Sequence, residues 1–262
     1  MAEALTRLRN VTARYDGVTA LETVDLNLPK GLITAFCGPN GSGKSTALRV
    51  MRGLHVPSMG TVEVAGRPLG DWMPRELAKS VAMLSQSPDA PPELTVQDLV
   101  RLGRFAHQRG FRGQRAEDRI ACERALAATE MTHLAERPIG RLSGGQLQRA
   151  WIAMTIAQDA PNIFLDEPTN HLDVSHAFEV LELVKRLNRS EGRSFVLVLH
   201  DLNMAMRYAD HIVLFDEAHV EAAGPTRTVL TERRISEVFG IGCKLIDIEG
   251  QDVPTVVLLP GQ

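Results

Sequence analysis

Over residues 5–28 polar and apolar side chains alternate, the period-two pattern of a strand with one buried face, and the turn pair Asp16-Gly17 interrupts the run. The pattern predicts an antiparallel hairpin or meander, which residues 61–64, followed by Gly66, would extend. Three later apolar runs are of a different kind. Residues 32–37, 163–165 and 195–199 are short, continuous and bounded by polar or turn residues, as parallel strands are when helices cover both faces. Between residues 92 and 157 the strand signals vanish and helix formers dominate, with apolar positions at Val96, Leu99 and Val100, and later at Ile120 and Leu126. This stretch predicts an all-helical insertion. Helical spacing returns over residues 177–187, AFEVLELVKRL, and over 202–208. Strands alternating with helices around the insertion predict an α/β fold, with residues 85–92 as the boundary candidate.

Composition narrows the function classes. The 262 residues suffice for one substantial core, or for a core with an appended subdomain. The 29 basic and 32 acidic residues are spread along the chain and leave a net charge of -3, so nucleic acid is not an expected partner. Cys37, Cys122 and Cys243 make neither a disulfide framework nor a metal-ligand spacing, and no signal peptide is evident, so a cytoplasmic setting is expected. No apolar run approaches the ~20 residues that cross a bilayer, so a membrane role is expected to act through a partner.

The chemistry enters with Gly38-Pro39-Asn40-Gly41-Ser42-Gly43-Lys44-Ser45, which follows directly on an apolar strand and precedes a helical stretch ending near Gly53. That is the strand, loop and helix context of a Walker A phosphate loop. Glycines let the backbone curl so that successive N–H groups face phosphate oxygens, and the helix adds its positive end. Lys44 is expected to reach the β- and γ-phosphates of ATP, Ser45 to hold Mg2+, and Thr46 to join the loop in binding ATP. Residues 163–167, IFLDE, deliver Asp166 and Glu167 at the carboxyl end of a strand, the edge where ligands bind in open α/β sheets. Asp166 suits a Mg2+ contact, directly or through water. Glu167 points differently and is the candidate to polarise the water that attacks the γ-phosphorus. Leu142-Ser143-Gly144-Gly145-Gln146 is a second glycine-rich loop, opening onto the helix-forming run LQRAWIAMTIA and so a second anion site, although plain capping also explains a Ser-Gly-Gly turn.

In this order, from about Thr6 to the end, the set resembles the ABC transporter ATPase family. The resemblance implies an α/β P-loop NTPase cassette with a mainly parallel core sheet, an N-terminal antiparallel β subdomain and a helical insertion subdomain. The whole chain is then a single ATPase domain, with its core at about residues 1–85 and 158–262 and the helical signature subdomain at about 86–157. It implies that Tyr15 stacks on adenine and that Gln86 is the Q-loop residue, joining Ser45 and Asp166 at Mg2+. Residues 142–146 become the signature, with Ser143, Gly144, Gly145 and Gln146 contacting the ATP of a second subunit. Leu172-Asp173 becomes the D-loop, and His200 the switch histidine, catalytic together with Glu167 and Lys44. Taken singly, Tyr15 is also explained as a strand aromatic, Gln86 as a loop residue and His200 as a capping residue beside Asp201.

The resemblance further implies a head-to-tail homodimer that closes on ATP and opens on hydrolysis, because the γ-phosphate bridges two helix termini on separate subunits. Residues 95–104, TVQDLVRLGR, with the following FAHQRGFRG, and the segments VLHDLN and RYAD resemble importers of ferric siderophores, haem and cobalamin. The ending GIGCKLIDIEGQDVPTVVLLPGQ is most similar to ferric-siderophore members. Integral membrane permease subunits touching residues 85–92 and 95–104, and indirectly an external substrate-binding protein, are the implied partners, at the cytoplasmic face of the inner (plasma) membrane. A solvent-facing amphipathic helix is the other explanation of 95–104. The alternatives are a haem or cobalamin importer and, further off, a soluble ABC-type ATPase acting on nucleic acid. A P-loop kinase or GTPase would leave residues 142–146 without a role. Asn162 and Ala47 depart from the family's usual apolar residue and leucine, and are expected to loosen packing slightly.

Overall fold

The computed structural model describes residues 4–86, 88–108, 115–170 and 172–259. They fall into two compact units, Met1–Asp71 with Ser194–Gln262, and Trp72–Arg193. Ser87 within the boundary candidate, residues 109–113 of FAHQRGFRG and residues 260–262 of the ending lie outside the described residues.

The first unit opens with the expected hairpin, β1 (Ala4–Tyr15) and β2 (Val18–Pro29), which closes with Tyr15 opposite Val18. Asp16 and Gly17 both have positive φ, +47° and +85°, as a two-residue hairpin turn with the twist of its strands requires. Leu5, Leu8, Val11 and Ala13 are buried on β1 and Leu21, Val24, Leu26 and Leu28 on β2, at spacings that depart from strict alternation where the β1–β2 register shifts. The strand β3 (Ile33–Cys37) is buried throughout and leads into α1 (Lys44–Met51). As predicted for residues 61–64, β4 (Met59–Val64) extends the hairpin by pairing antiparallel with β1, and the short β5 (Arg67–Pro68) completes a sheet of order β2-β1-β4-β5.

The second unit begins with α2 (Pro74–Ser80) and β6 (Val81–Leu84). The predicted helical stretch follows as α3 (Val96–Leu102), α4 (Ala116–Ala128) and α5 (Gly144–Ala157). Thr95 caps α3, its hydroxyl oxygen accepting from the Asp98 N–H at 3.1 Å. Gly103 lets α3 approach α5, since a Cβ there would lie 2.1 Å from the Met154 carbonyl oxygen. Between the helices, the buried Arg104 donates to Asp118 at 2.9 Å and to the Ala157 carbonyl at 2.9 Å. Val96, Leu99, Val100 and Leu126 are buried as their spacing predicts, whereas Ile120 is 49% exposed: α4 turns Cys122, Ala125 and Leu126 inward instead. The unit closes with β7 (Asn162–Leu165), parallel to β6, and α6 (Val174–Glu191), which ends at Gly192 in the left-handed conformation. Asn162, the departure from the usual apolar residue, keeps its side-chain oxygen buried with no hydrogen-bond partner among the described residues. The residue is buried, and its amide nitrogen donates to the Ser80 carbonyl at 3.0 Å, tying β7 to the end of α2.

The chain then re-enters the first unit through β8 (Ser194–Val198), parallel to β3, and α7 (Leu202–Tyr208), which has the predicted limits. Next come β9 (His211–Asp216), parallel to the other edge of β3, and β10 (His219–Pro225), antiparallel to β9. Phe36 of β3 and Phe215 of β9 pack with ring centroids 4.9 Å apart. The short α8 (Thr226–Val229) and α9 (Glu232–Phe239) precede a final hairpin, β11 (Cys243–Ile246) and β12 (Thr255–Leu258). Among the described residues no helix is long and apolar enough to cross a membrane.

Candidate nucleotide site

In the first unit the site is set by β3 and β8. Phe36 pairs with Val198, and the Leu199 N–H donates to the Phe36 carbonyl at 3.1 Å, so both chains leave the sheet at the same edge. The glycine-rich loop departs from one and His200 from the other, which is how the structure brings residues 38–46 and His200 to one edge. His200 is exposed and is not the cap of α7: Asp201 caps it, accepting from Asn203 N–H at 2.7 Å and Met204 N–H at 3.0 Å.

The loop glycines have different tasks. Gly41 needs only its φ of +80°, since a Cβ there would meet nothing within 4 Å. Gly38 and Gly43 also need the missing side chain, because a Cβ would lie 2.1 Å from the Phe215 carbonyl oxygen and 2.4 Å from the Ala20 carbonyl oxygen, respectively. The glycine-rich loop is thus held between the edge of β9 and the first hairpin. Lys44 is buried, and its ammonium donates to the carbonyls of Gly38 at 2.9 Å and Pro39 at 2.6 Å, so here the cation rests on its own loop. Ser42 is buried and lies 3.4 Å from the same ammonium. Burial pushes the neighbouring Cys37 thiol up to about 12, against the opposing pull of Lys44, which makes it a packing residue.

In the second unit the register of β6 with β7 does the same work. Leu84 pairs with Leu165, and the N–H of the buried Asp166 donates to the Leu84 carbonyl at 2.9 Å. Two residues beyond each paired leucine stand Gln86 and Glu167, and the amide nitrogen of Gln86 donates to the Glu167 carboxylate at 2.6 Å. Asn170, which the sequence alone does not single out, donates to the same carboxylate oxygen at 2.8 Å. Glu167 has φ +53°, an uncommon conformation for a residue with a side chain, and one that clusters at functional positions.

The glycines of residues 142–146 are not a loop before a helix: Gly144 and Gly145 form the first turn of α5, with Ser143 as its N-cap. Ser143 and Gln146 make a reciprocal capping box, 3.3 Å from the Gln146 N–H to the Ser143 hydroxyl and 3.1 Å from the Ser143 N–H to the Gln146 side chain. Gly144 faces open space, whereas a Cβ on Gly145 would lie 3.0 Å from the His176 ring. That ring is held by Asp173, 2.7 Å from its Nδ1. Asp173 is the N-cap of α6, and the His176 backbone N–H, the Ser175 hydroxyl and the His176 ring together hold its carboxyl at about 2. Asp173 and Gly145 are therefore joined through His176, a link with no sequence signal beyond the three-residue spacing from Asp173. Tyr15 stands at the turn of the first hairpin, its ring 4.1 Å from that of His55.

A curled backbone with a buried ammonium suits polyphosphate, and a carboxylate fixed by two amides suits orientation of a water. The family model for ABC transporters matches residues 21–170, more than half of the chain, and the chain belongs to that family as an ATP-binding cassette ATPase. Over 99% of its length it is 41% identical to the ferric enterobactin transport ATP-binding protein FepC of Escherichia coli (strain K12), of which it covers 96%. A chain of a metal-chelate type ABC transporter in an inward-facing conformation superposes with TM-score 0.86 at 29% identity, covering 98% of both chains. The ATP-binding cassette MJ0796, solved as a dimer in a post-hydrolysis state with ADP and Pi, superposes with TM-score 0.76 at 31% identity, over 85% of this chain and 99% of that one.

Proposed function

We propose that this ATPase powers import of an iron chelate, a ferric siderophore, through a membrane permease at the cytoplasmic face of the plasma membrane. One observation carries the hydrolytic part: the Glu167 carboxylate, fixed by Gln86 and Asn170 on a left-handed backbone. The cargo rests on likeness to a ferric enterobactin transport protein along nearly the whole chain. Glu167 orients the attacking water, and His200 contacts the γ-phosphate. The N–H groups of residues 38–46, Pro39 apart, cradle the phosphates, and Lys44 exchanges its loop carbonyls for phosphate oxygens. The residues assigned to Mg2+, Ser45, Gln86 and Asp166, offer oxygen donors alone, which fits a hard cation that takes few protein ligands besides substrate phosphate. When bound, Mg2+ supplies neutralisation of phosphate charge.

In this reading two copies clasp each ATP between the phosphate loop of one and residues 143–146 of the other, as the dimeric state of MJ0796 suggests by analogy. Residues 85–92 and 95–104, the latter carrying the exposed Leu102, are the permease contacts in this reading, and residues 86–157 act as the signature subdomain. A strain lacking the gene, complemented with wild type or Lys44→Ala, tests the cargo by uptake of iron from a panel of ferric siderophores and haem, alongside cobalamin. Loss confined to a siderophore and restored only by wild type is expected; normal uptake of the iron chelates would end the assignment. Glu167→Gln should bind ATP, turn over about 10²- to 10⁴-fold more slowly and accumulate as a dimer in light scattering, and a monomer with ATP bound would count against the clasp.

A further inference from the structure

We propose that His55 positions Tyr15 as the platform for the adenine base, so that the ring pair, rather than the tyrosine alone, sets affinity for the base; this rests on reading Tyr15 as the base contact. The two rings lie with centroids 4.1 Å apart and planes inclined by 31°, so the imidazole backs the phenol ring, and Tyr15 remains part-exposed. The pair is tied to the phosphate loop on both sides. Tyr15 faces Val18, and β2 runs on from there to Ala20 and Leu21, the residues that a side chain at Gly43 would strike. Three residues of strand place the rings roughly 10 Å from that contact, the scale of a nucleoside between its base and its phosphates. His55 follows α1, whose first residue is Lys44, and its N–H donates to the Arg49 carbonyl of that helix at 3.3 Å.

Hydrogen bonding does not explain the pair. The Tyr15 hydroxyl and the His55 Nε2 are both buried, and neither has a hydrogen-bond partner among the described residues. Val18, opposite Tyr15, and Leu54 and Val56, on either side of His55, are 69%, 62% and 84% exposed, an apolar rim suited to a purine face. An aromatic partner of this kind is worth about two- to tenfold in affinity when its loss frees the ring it supports.

The test is calorimetric titration of the full chain with ATP and, separately, with inorganic tripolyphosphate, which lacks the base. His55→Ala should weaken ATP by about two- to tenfold and leave tripolyphosphate unchanged, with KM raised and kcat preserved. His55→Phe, which restores a ring, should recover ATP affinity, and His55→Ala should add nothing in a Tyr15→Ala background. Wild-type ATP affinity in His55→Ala while Tyr15→Ala is weakened would overturn the positioning role and leave the base contact standing. Unchanged ATP affinity in Tyr15→Ala would instead remove the base contact itself. Equal losses for ATP and tripolyphosphate would reduce His55 to a support of the phosphate loop and also overturn the proposal.

Discussion

Alanine at Gly38 and alanine at Gly41 are the same chemical change in the same phosphate loop, and their consequences differ because of what surrounds each Cα. At Gly41 the added methyl meets nothing within 4 Å, so the cost is that of φ +80° alone, about 1–2 kcal/mol for an L-residue. At Gly38, with φ +149°, the methyl would lie 2.1 Å from the Phe215 carbonyl oxygen and 2.9 Å from the Ser42 hydroxyl. The carbonyl cannot retreat: Phe215 is fully buried in β9, with β10 paired to it and β3 paired to its neighbour Leu214. Overpacking of about 1–3 kcal/mol therefore adds to the backbone strain, for a total of about 2–5 kcal/mol. At roughly 2–4 °C per kcal/mol for a chain of this size, Gly41→Ala should lower the melting temperature by about 2–8 °C and Gly38→Ala by about 4–20 °C. Differential scanning fluorimetry with and without ATP reads both effects, and Gly38→Ala should also lose the nucleotide-induced rise in melting temperature. Equal drops for the two variants, or a larger one for Gly41→Ala, would refute the assignment of close packing to Gly38.

Asp118→Ala leaves the Arg104 guanidinium buried without its carboxylate, and a loss of about 3–5 kcal/mol is expected from urea unfolding, largely recovered by a paired Arg104→Met, Asp118→Leu replacement. The Asp173 carboxyl is held at about 2, below its ordinary 3.8, by the His176 N–H first, so its contribution is complete above about pH 4 and is lost as pH falls toward 2. A carboxyl carbon resonance titrating near 2 would bear this out, and an ordinary midpoint would contradict the cap geometry. Gly145→Ala should slow turnover by pressing on the His176 ring, and His176→Ala should relieve part of that loss; additive effects would show that the ring and Gly145 are uncoupled.

What is legible in the sequence is whatever a local pattern controls. The first hairpin can be read because Asp16-Gly17 supplies two positive φ values between alternating strands, and β3, β7 and β8 because strands buried on both faces leave continuous apolar runs. The strand β6 escapes such a reading: VAML follows α2 without a break and contains residues equally at home in a helix. In β10, HVEAAGP, alanine, glycine and proline hide the alternation, and exposure of alternate residues adds no apolar signal. The predicted 177–187 helix is longer in the structure because Asp173 and Gly192 set its ends, and end signals are polar or glycine rather than periodic. His55 has no signal at all, since its partner Tyr15 is brought to it by tertiary packing.

The site follows a rule that no local pattern contains. In the first unit Phe36 pairs with Val198, and two residues beyond each lie Gly38 and His200. In the second unit Leu84 pairs with Leu165, and two residues beyond each lie Gln86 and Glu167, 81 residues apart in sequence and hydrogen-bonded. Parallel register thus converts equal offsets from paired residues into spatial neighbours at the carboxyl edge of each pair of strands, the edge where α/β folds bind ligands. A slip of one residue between β6 and β7 would turn the partnered side chain to the opposite face and separate Gln86 from Glu167. The buried leucines that fix this register are therefore as much a condition of the Glu167 geometry as Gln86 and Asn170 are, although neither leucine carries any chemistry of its own.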